Sequence, residues 1–312
     1  MGKIISLINL KGGVGKTTTT ASLAQFLAFE FKKKVLVVDL DPQTNATVML
    51  INQEVWKNAN DNNNTICQMF LDKLNGTSLF NINNSIIRNV SNVGGGIQGL
   101  DLLPSSINLL DLQERIPMIN SMNSFAQSPI TVLASELTQD IVNRYDYILI
   151  DCPPNLGAIT LNGIFISDYF LIPVVPDILS TYGIPQILDK IGKVYTDVKA
   201  INRTYNIKPM GIIVTKYRVQ SRMHKETKDD LVRRGLLPRV SESDLIQRSR
   251  LSEKSKDALP KVFEEVIKET NKISESTDVD AQISTLKQKY GYATDIYDSY
   301  YKITEEFLQR TK

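Results

Sequence analysis

Residues 11–18 read KGGVGKTT, a run whose residue types can close around a phosphate. Gly12, Gly13 and Gly15 let the backbone curl about an anion with no Cβ in the way. Lys16 supplies a cation to the β and γ phosphates, and the hydroxyl of Thr17 is the kind of group that ligates Mg2+. A generic phosphate loop asks for glycine where this chain has Leu10, so the match is to the variant GG-x-GK-[ST], with an added lysine at Lys11. Three carboxylates could act with the loop: Asp39 and Asp41 in DLDPQ, and Asp151 in DCPP. An isolated aspartate at the end of a strand commonly caps a helix or faces solvent, but three in phosphate-facing positions are poorly explained that way.

Such chemistry needs a strand, a loop and a helix in that order. Residues 4–9 are a short apolar run ending at the glycines, and residues 17–31 carry apolar side chains at helical spacing. The loop therefore opens a helix, whose free N–H groups and dipole favour an anion. Apolar runs at 35–38 and 147–150 end in the aspartates, which puts each carboxylate at the carboxyl end of a buried strand. Further runs at 169–175 and 210–214 alternate with helix-like stretches. The pattern predicts an α/β fold, a mainly parallel twisted sheet flanked by helices on both faces, with ligands at its carboxyl edge. The stretch from about 52 to 99 is Asn-rich and reads as surface loops around a short helix. Apolar positions from Ile283 to Phe307 fit a long amphipathic helix or helix pair, a C-terminal extension.

The chain has 312 residues, 42% of them apolar and 22% charged, with a net charge of +2. That is an ordinary globular composition, and the charge is too small to advertise nucleic-acid binding without local clustering. No apolar window is long enough to span a bilayer and the N-terminus reads as a strand, which points to the cytoplasm. Cys67 and Cys152 lie far apart without metal-ligand spacing, neither is expected to form a disulfide, and with Cys67 in the irregular stretch Cys152 reads as a small buried residue rather than an iron–sulfur or redox ligand.

KGGVGKTTTTASLAQFLA, VLVVDLDPQTNAT, YDYILIDCPPNLGAITLNGI and LIPVVPDILSTYGI resemble the successive signature blocks of the ParA/MinD family of deviant Walker ATPases, closest to the ParA branch. The resemblance implies a P-loop ATPase domain over residues 1–260, with the Asn-rich stretch inserted, and a helical extension over 261–312 packed on it. It implies ATP and Mg2+ as cofactors, with Lys11, Gly12, Gly13, Val14, Gly15, Lys16, Thr17 and Thr18 cradling the nucleotide. Lys11 would reach across an ATP-dependent homodimer to the partner's phosphates, while Lys16 acts within its own subunit. Asp41 matches the residue that orients the attacking water, and Thr17, Asp39 and Asp151 match the metal shell. Segments 41–47 and 151–157 would switch with the γ-phosphate. Hydrolysis would be slow and stimulated by a ParB-like adaptor. With the chain starting at the first strand, the family's optional N-terminal helix-turn-helix is not expected.

Basic residues gather at Lys216, Arg218, Arg222, Lys225, Lys228, Arg233, Arg234 and Arg239, and again at Arg248, Arg250, Lys254 and Lys256. Such clusters bind DNA phosphates without base specificity, although charged runs are usually solvated faces. With the resemblance they make Arg218, Arg222, Lys225, Arg248 and Arg250 the candidate contacts to nonspecific DNA, implying a nucleoid-associated protein that positions plasmid, chromosome or other cargo. Three rivals stand beside this reading. A membrane-bound MinD-like positioning ATPase is disfavoured by the mixed charge of residues 295–312. A related tyrosine kinase would use Tyr290, Tyr292, Tyr297, Tyr300 and Tyr301, whose spacing suits packing better. A scaffold that binds ATP without turnover is disfavoured by Asp41.

Overall fold

The computed structural model describes residues 1–119, 128–177, 180–181, 183–234, 260–271, 273, 283–291 and 295–312. Among the described residues six strands are present, β1 (Lys3–Leu7), β2 (Val35–Asp39), β3 (Leu100–Leu103), β4 (Tyr147–Asp151), β5 (Tyr169–Val174) and β6 (Lys208–Val214). They form one sheet in the order β3-β2-β4-β1-β5-β6, and every neighbouring pair is parallel. The helices are α1 (Lys16–Phe29), α2 (Asn45–Leu50), α3 (Gln53–Asp61), α4 (Ile66–Asn75), α5 (Ile82–Ser85), α6 (Leu109–Leu112), α7 (Val132–Glu136), α8 (Gln139–Val142), α9 (Ala158–Ile166), α10 (Ile184–Ile201), α11 (Arg222–Arg234), α12 (Leu286–Tyr290) and α13 (Ile296–Arg310). Among the described residues, no helix is long and apolar enough to cross a membrane.

The sheet is buried on both faces because successive side chains alternate. Ile4, Leu36, Val38, Ile148 and Ile150 enter one core with α4, α9 and α10. Their neighbours Ile5, Val35, Val37 and Leu149 enter the other with α1, α12 and α13. Residues 260–271 run along β6, with parallel bridges Ile212↔Val262 and Tyr217↔Lys268. Arg310 of α13 donates to the carbonyls of Met210, Lys261 and Val262 and so ties the last helix to that edge.

The Asn-rich stretch departs from the expected loops. It holds α3, α4 and α5, and its asparagines begin helices: Asn52 Oδ1 accepts from Val55 N at 2.9 Å, and Asn81 Oδ1 accepts from Asn83 N and Asn84 N. Gly76 ends α4 in the left-handed region at φ 68°. The edge strand β3 also goes beyond the expected runs, since LDLL is short and its apolar pattern is broken by Asp101. Of the clustered tyrosines, Tyr290, Tyr297 and Tyr300 surround Phe26 with ring centroids 5.3–5.7 Å away. Tyr290 donates to Ser22 Oγ at 2.7 Å. These rings are a core, which leaves the kinase reading without its motivating observation; Tyr292 lies outside the described residues.

Candidate nucleotide site

Strand order builds the site. β4 lies between β2 and β1, so their carboxyl ends are side by side, with Asp39 in register with Asp151 and Leu7 in register with Asp151. The glycine loop leaves β1 at this edge. Gly13 and Gly15 take φ values of 75° and 79°, a region costly for any residue with a Cβ. Gly15 is the N-cap of α1 and no side chain caps that helix, whose first turn also lacks an acid. The opening N–H groups are thus left for an anion. Val14 is buried, and its carbonyl accepts the hydroxyl of Thr215 at 2.6 Å, which pins the loop to the end of β6.

A cavity of about 520 Å3 opens over the loop, lined by Gly12, Gly13, Gly15, Lys16, Thr17, Thr18, Asp41, Gln43, Asn45 and Lys216, among others. A second of about 190 Å3 shares Gly15, Thr18 and Lys216 with it and continues to Thr215, Glu269 and Asn271. Together they have the shape a nucleotide asks for, a cationic and glycine-lined part beside a smaller pocket.

The carboxylates differ in what they can do. Asp41 faces the cavity and is 5% exposed; its Oδ1 accepts from Gln43 N at 2.9 Å. Asp39 lies behind it, fully buried. Asp39 Oδ1 accepts from Asp41 N at 3.1 Å, and Oδ2 accepts from Thr47 N at 2.8 Å and Thr47 Oγ1 at 2.7 Å. Asp39 therefore anchors both ends of the 41–47 turn. Asp151 accepts from Thr20 Oγ1 at 3.1 Å through Oδ1, while its buried Oδ2 has no hydrogen-bond partner. Burial, and then the charge of Asp151, hold the Asp39 carboxyl well above the usual carboxylate range. Burial likewise pushes Asp151 up to about 6, against the pull of Lys16.

An orphaned carboxylate oxygen in a paired acidic site beside the hydroxyls of Thr17 and Thr20 fits a hard cation. Among the described residues, no three acidic, histidine or cysteine side chains form a complete metal cage. That suits Mg2+, which keeps waters and phosphate oxygens in its shell. Thr17 and Asp151 are the residues that could hold it, with Asp39 hydrogen-bonded to Asp41 N and Thr47 behind them.

Lys16 is 6% exposed at the cavity floor. Lys11 is not turned into the cavity. Its Nζ lies 3.2 Å and 3.3 Å from the carboxylate oxygens of Asp177 and 2.9 Å from Ser180 Oγ, and Asp177 in turn accepts from Ser180 N at 2.7 Å. This clasp has no sequence signal, since its partners are more than 160 residues from Lys11. Thr215 and Lys216 likewise carry little sequence signal: Lys216 stands out only within a basic run, whereas it takes φ 48° and lines the phosphate cavity.

Of the candidate DNA contacts, Arg218 pairs with Glu269 and Arg222 pairs with Glu226, while Lys225 is exposed on α11. Arg248 and Arg250 lie outside the described residues. α11 buries His224, Thr227 and Leu231, and His224 Nδ1 accepts from Arg218 N at 3.0 Å. Cys67 and Cys152 are buried and free. Burial raises the Cys152 thiol to about 12, the state of an inert packing residue.

Residues 2–207 match the family model AAA_31, described as an AAA domain. Over 260 residues the chain is 30% identical to an uncharacterised protein of Methanocaldococcus jannaschii, a stretch that is 83% of this chain and 90% of that one. Over 192 residues it is 32% identical to the sporulation initiation inhibitor protein Soj of Bacillus subtilis, covering 61% of this chain and 65% of Soj. A putative plasmid partition protein of Borrelia burgdorferi B31, solved bound to AMPPNP, superposes with a TM-score of 0.64 at 23% identity over 99% of this chain and 100% of that one. With its variant glycine loop, parallel sheet and strand-end carboxylates, the chain belongs to the AAA_31 family of ParA/MinD-like P-loop ATPases.

Proposed function

We propose that this chain is an ATP-hydrolysing positioning switch of the ParA kind. It dimerises on binding ATP, holds nonspecific DNA as the dimer, and is released when a ParB-like adaptor stimulates hydrolysis. The observation that carries the reading is the convergence of Gly13, Gly15, Lys16, Thr17 and Asp41 on one cavity, with Asp151 at the adjoining strand end, bonded to Thr20 of α1. Phosphoryl transfer to water needs charge neutralisation and a positioned nucleophile. Lys16 and the opening N–H groups of α1 hold the β and γ phosphates. Mg2+, held by Thr17 and Asp151, would supply the remaining neutralisation. Asp41, fixed by Asp39 and Gln43, orients the attacking water. The base occupies the smaller pocket beside Thr215 and Asn271.

Lys11 sits at the rim with its side chain 40% exposed, close enough to the surface to serve a second subunit once it leaves Asp177. Segments 41–47 and 151–157 carry the response to the γ-phosphate. DNA phosphates meet Arg218, Arg222, Lys225, Arg248 and Arg250, which associates the ATP-bound dimer with the nucleoid. Residues 1–260 and the extension 261–312 act as one unit. The MinD-like alternative would need a free amphipathic helix, but the apolar residues Ile296, Tyr300, Ile303 and Phe307 of α13 are at most 2% exposed.

Phosphate release from ATP tests the reading. Asp41→Ala should lower turnover at least roughly a hundredfold while ATP still drives dimerisation. Unchanged turnover in that variant would remove Asp41 from the mechanism, and absence of phosphate release by the wild-type chain would remove the hydrolytic reading.

A further inference from the structure

We propose that the amino edge of the sheet carries a second anion site, separate from the nucleotide cavity and suited to a phosphate-bearing ligand. A groove of about 710 Å3 opens there, where the chain enters β2, β3 and β4. Five cations line it: Lys32, Lys33 and Lys34 between α1 and β2, Arg88 before β3, and Arg144 before β4. The only carboxylate in its wall is Asp101, and that one is spoken for. Asp101 Oδ2 accepts from Arg88 Nη1 and from Tyr145 OH, both at 2.8 Å, and Oδ1 accepts from Asn89 N at 3.0 Å. The site is across the sheet from the phosphate loop, which leaves the opposite end of β1.

The cations are unequally committed. Lys32 Nζ donates to Phe29 O at 2.6 Å and so covers a carbonyl at the end of α1, where the helix dipole would otherwise oppose an anion. Arg88 is held by Asp101. Lys33, Lys34 and Arg144 have no carboxylate partner among the described residues; Arg144 donates only to the amide oxygen of Asn83, at 2.7 Å. Asp146, at the rim, accepts the backbone N–H of Lys34 rather than its ammonium. Packing uncompensated positive charges around one concavity raises the local potential, and low-dielectric walls focus it.

Two further features suit a phosphate ester rather than a bare surface of lysines. One wall is glycine backbone: Gly99 has φ 83°, and Gly96 has φ 125° with room for no side chain, since a Cβ there would meet Asn89 O at 2.3 Å. The other wall carries the rings of Phe29 and Tyr145. The volume is within the range of small-ligand sites. Phosphate groups come from two sources, the diester backbone of a nucleic acid or a free polyphosphate, and both present the charge that this groove lacks. The proposal does not depend on the hydrolytic reading of the other site.

The test uses the full chain saturated with ADP and Mg2+ so that the nucleotide cavity is filled. Binding of inorganic tripolyphosphate is followed by calorimetry, and binding of a short labelled DNA duplex by fluorescence anisotropy. Lys33→Gln/Lys34→Gln/Arg144→Gln removes the three unpaired charges and is checked by thermal melting. The expected result is a loss of roughly tenfold or more in affinity for at least one probe, and for the duplex a salt slope shallower by about 2–3. Lys57→Gln, an exposed lysine on α3 away from the groove, should leave tripolyphosphate binding as it was. A response to duplex alone identifies nucleic acid as the source, and a response to tripolyphosphate identifies a free polyphosphate. Should the triple variant melt early, Lys34→Gln alone, an exposed side chain whose ammonium has no carboxylate partner among the described residues, still carries a measurable loss. Absence of binding to the ADP-loaded protein, or equal binding by the folded neutralised variant, overturns the site.

Discussion

Asp177→Asn should make ATP-dependent dimerisation tighter. In the isolated chain Asp177 and Ser180 hold the Lys11 ammonium, and any cross-subunit role for Lys11 must first undo that clasp. The pair is only partly shielded, with side-chain exposures of 40% and 23%, so solvent screens it and it is worth about 0.5–1 kcal/mol. The Asp177 carboxyl is held below the usual range chiefly by the Ser180 N–H, hydroxyl and Lys11, against the cost of its burial. Asparagine preserves the oxygen that accepts from Ser180 N at 2.7 Å, so the local turn survives while the attraction to Lys11 goes. Losing about 0.5–1 kcal/mol of competing interaction favours release about two- to fivefold per subunit, and a symmetric dimer releases two lysines. The dimer dissociation constant with ATP should fall by about 4- to 25-fold, as read by sedimentation or mass photometry. An unchanged or weaker dimer, in a variant that melts normally, would refute the idea that the clasp competes with the dimer.

Two further substitutions follow from individual contacts. Thr215→Val strips the hydroxyl from Val14 O and Val174 O, at 2.6 and 3.1 Å; Val174 O keeps the backbone N–H of Thr215 at 2.8 Å, while the carbonyl of the buried Val14 loses its brace. It should cost about 1–3 kcal/mol in chemical denaturation and weaken nucleotide binding measured by titration; stability and affinity both at wild-type level would show that β6 does not brace the loop. Lys289 is 2% exposed, its Nζ donates to Asn92 Oδ1 at 2.8 Å, and burial lowers its pKa from 10.5 to about 7. Between about 7 and 10.5 the unfolded chain holds a proton that the folded chain has shed, so stability rises with pH across that window, and the full cost of the buried charge is present below it. Lys289→Met should stabilise the protein at neutral pH by an amount on the order of a few kcal/mol and flatten that rise; an unaltered pH profile would contradict it.

The glycine loop and the strand-end aspartates were legible in the sequence because their work is done by local geometry. A short apolar run followed by glycines and a helical period already fixes which edge of a parallel sheet the loop occupies. The resemblance assigns Asp39 to the metal shell, and its strand-end position does not reveal that both its oxygens also accept hydrogen bonds from Asp41 N and Thr47. What the sequence could not convey is contact at long range. Nothing near Lys11 points to Asp177, nothing near Val14 points to Thr215, and the five cations of the amino-edge groove come from three separate connections. Composition misled at the Asn-rich stretch, where asparagine serves as a helix cap as readily as a loop residue. Residues 260–271 carry no long apolar run, and only the bridges to β6 reveal that they extend the sheet edge beside the smaller pocket.

On the proposed function, Lys11 converts an ATP site into a subunit contact. Sedimentation of wild type and Lys11→Ala with ATP, with ADP and without nucleotide tests it most directly, alongside a nucleotide titration. The account predicts that wild type dimerises only with ATP, and that Lys11→Ala stays monomeric and loses turnover while still binding nucleotide through Lys16 and the loop. A Lys11→Ala protein that dimerises and hydrolyses ATP like wild type would contradict it.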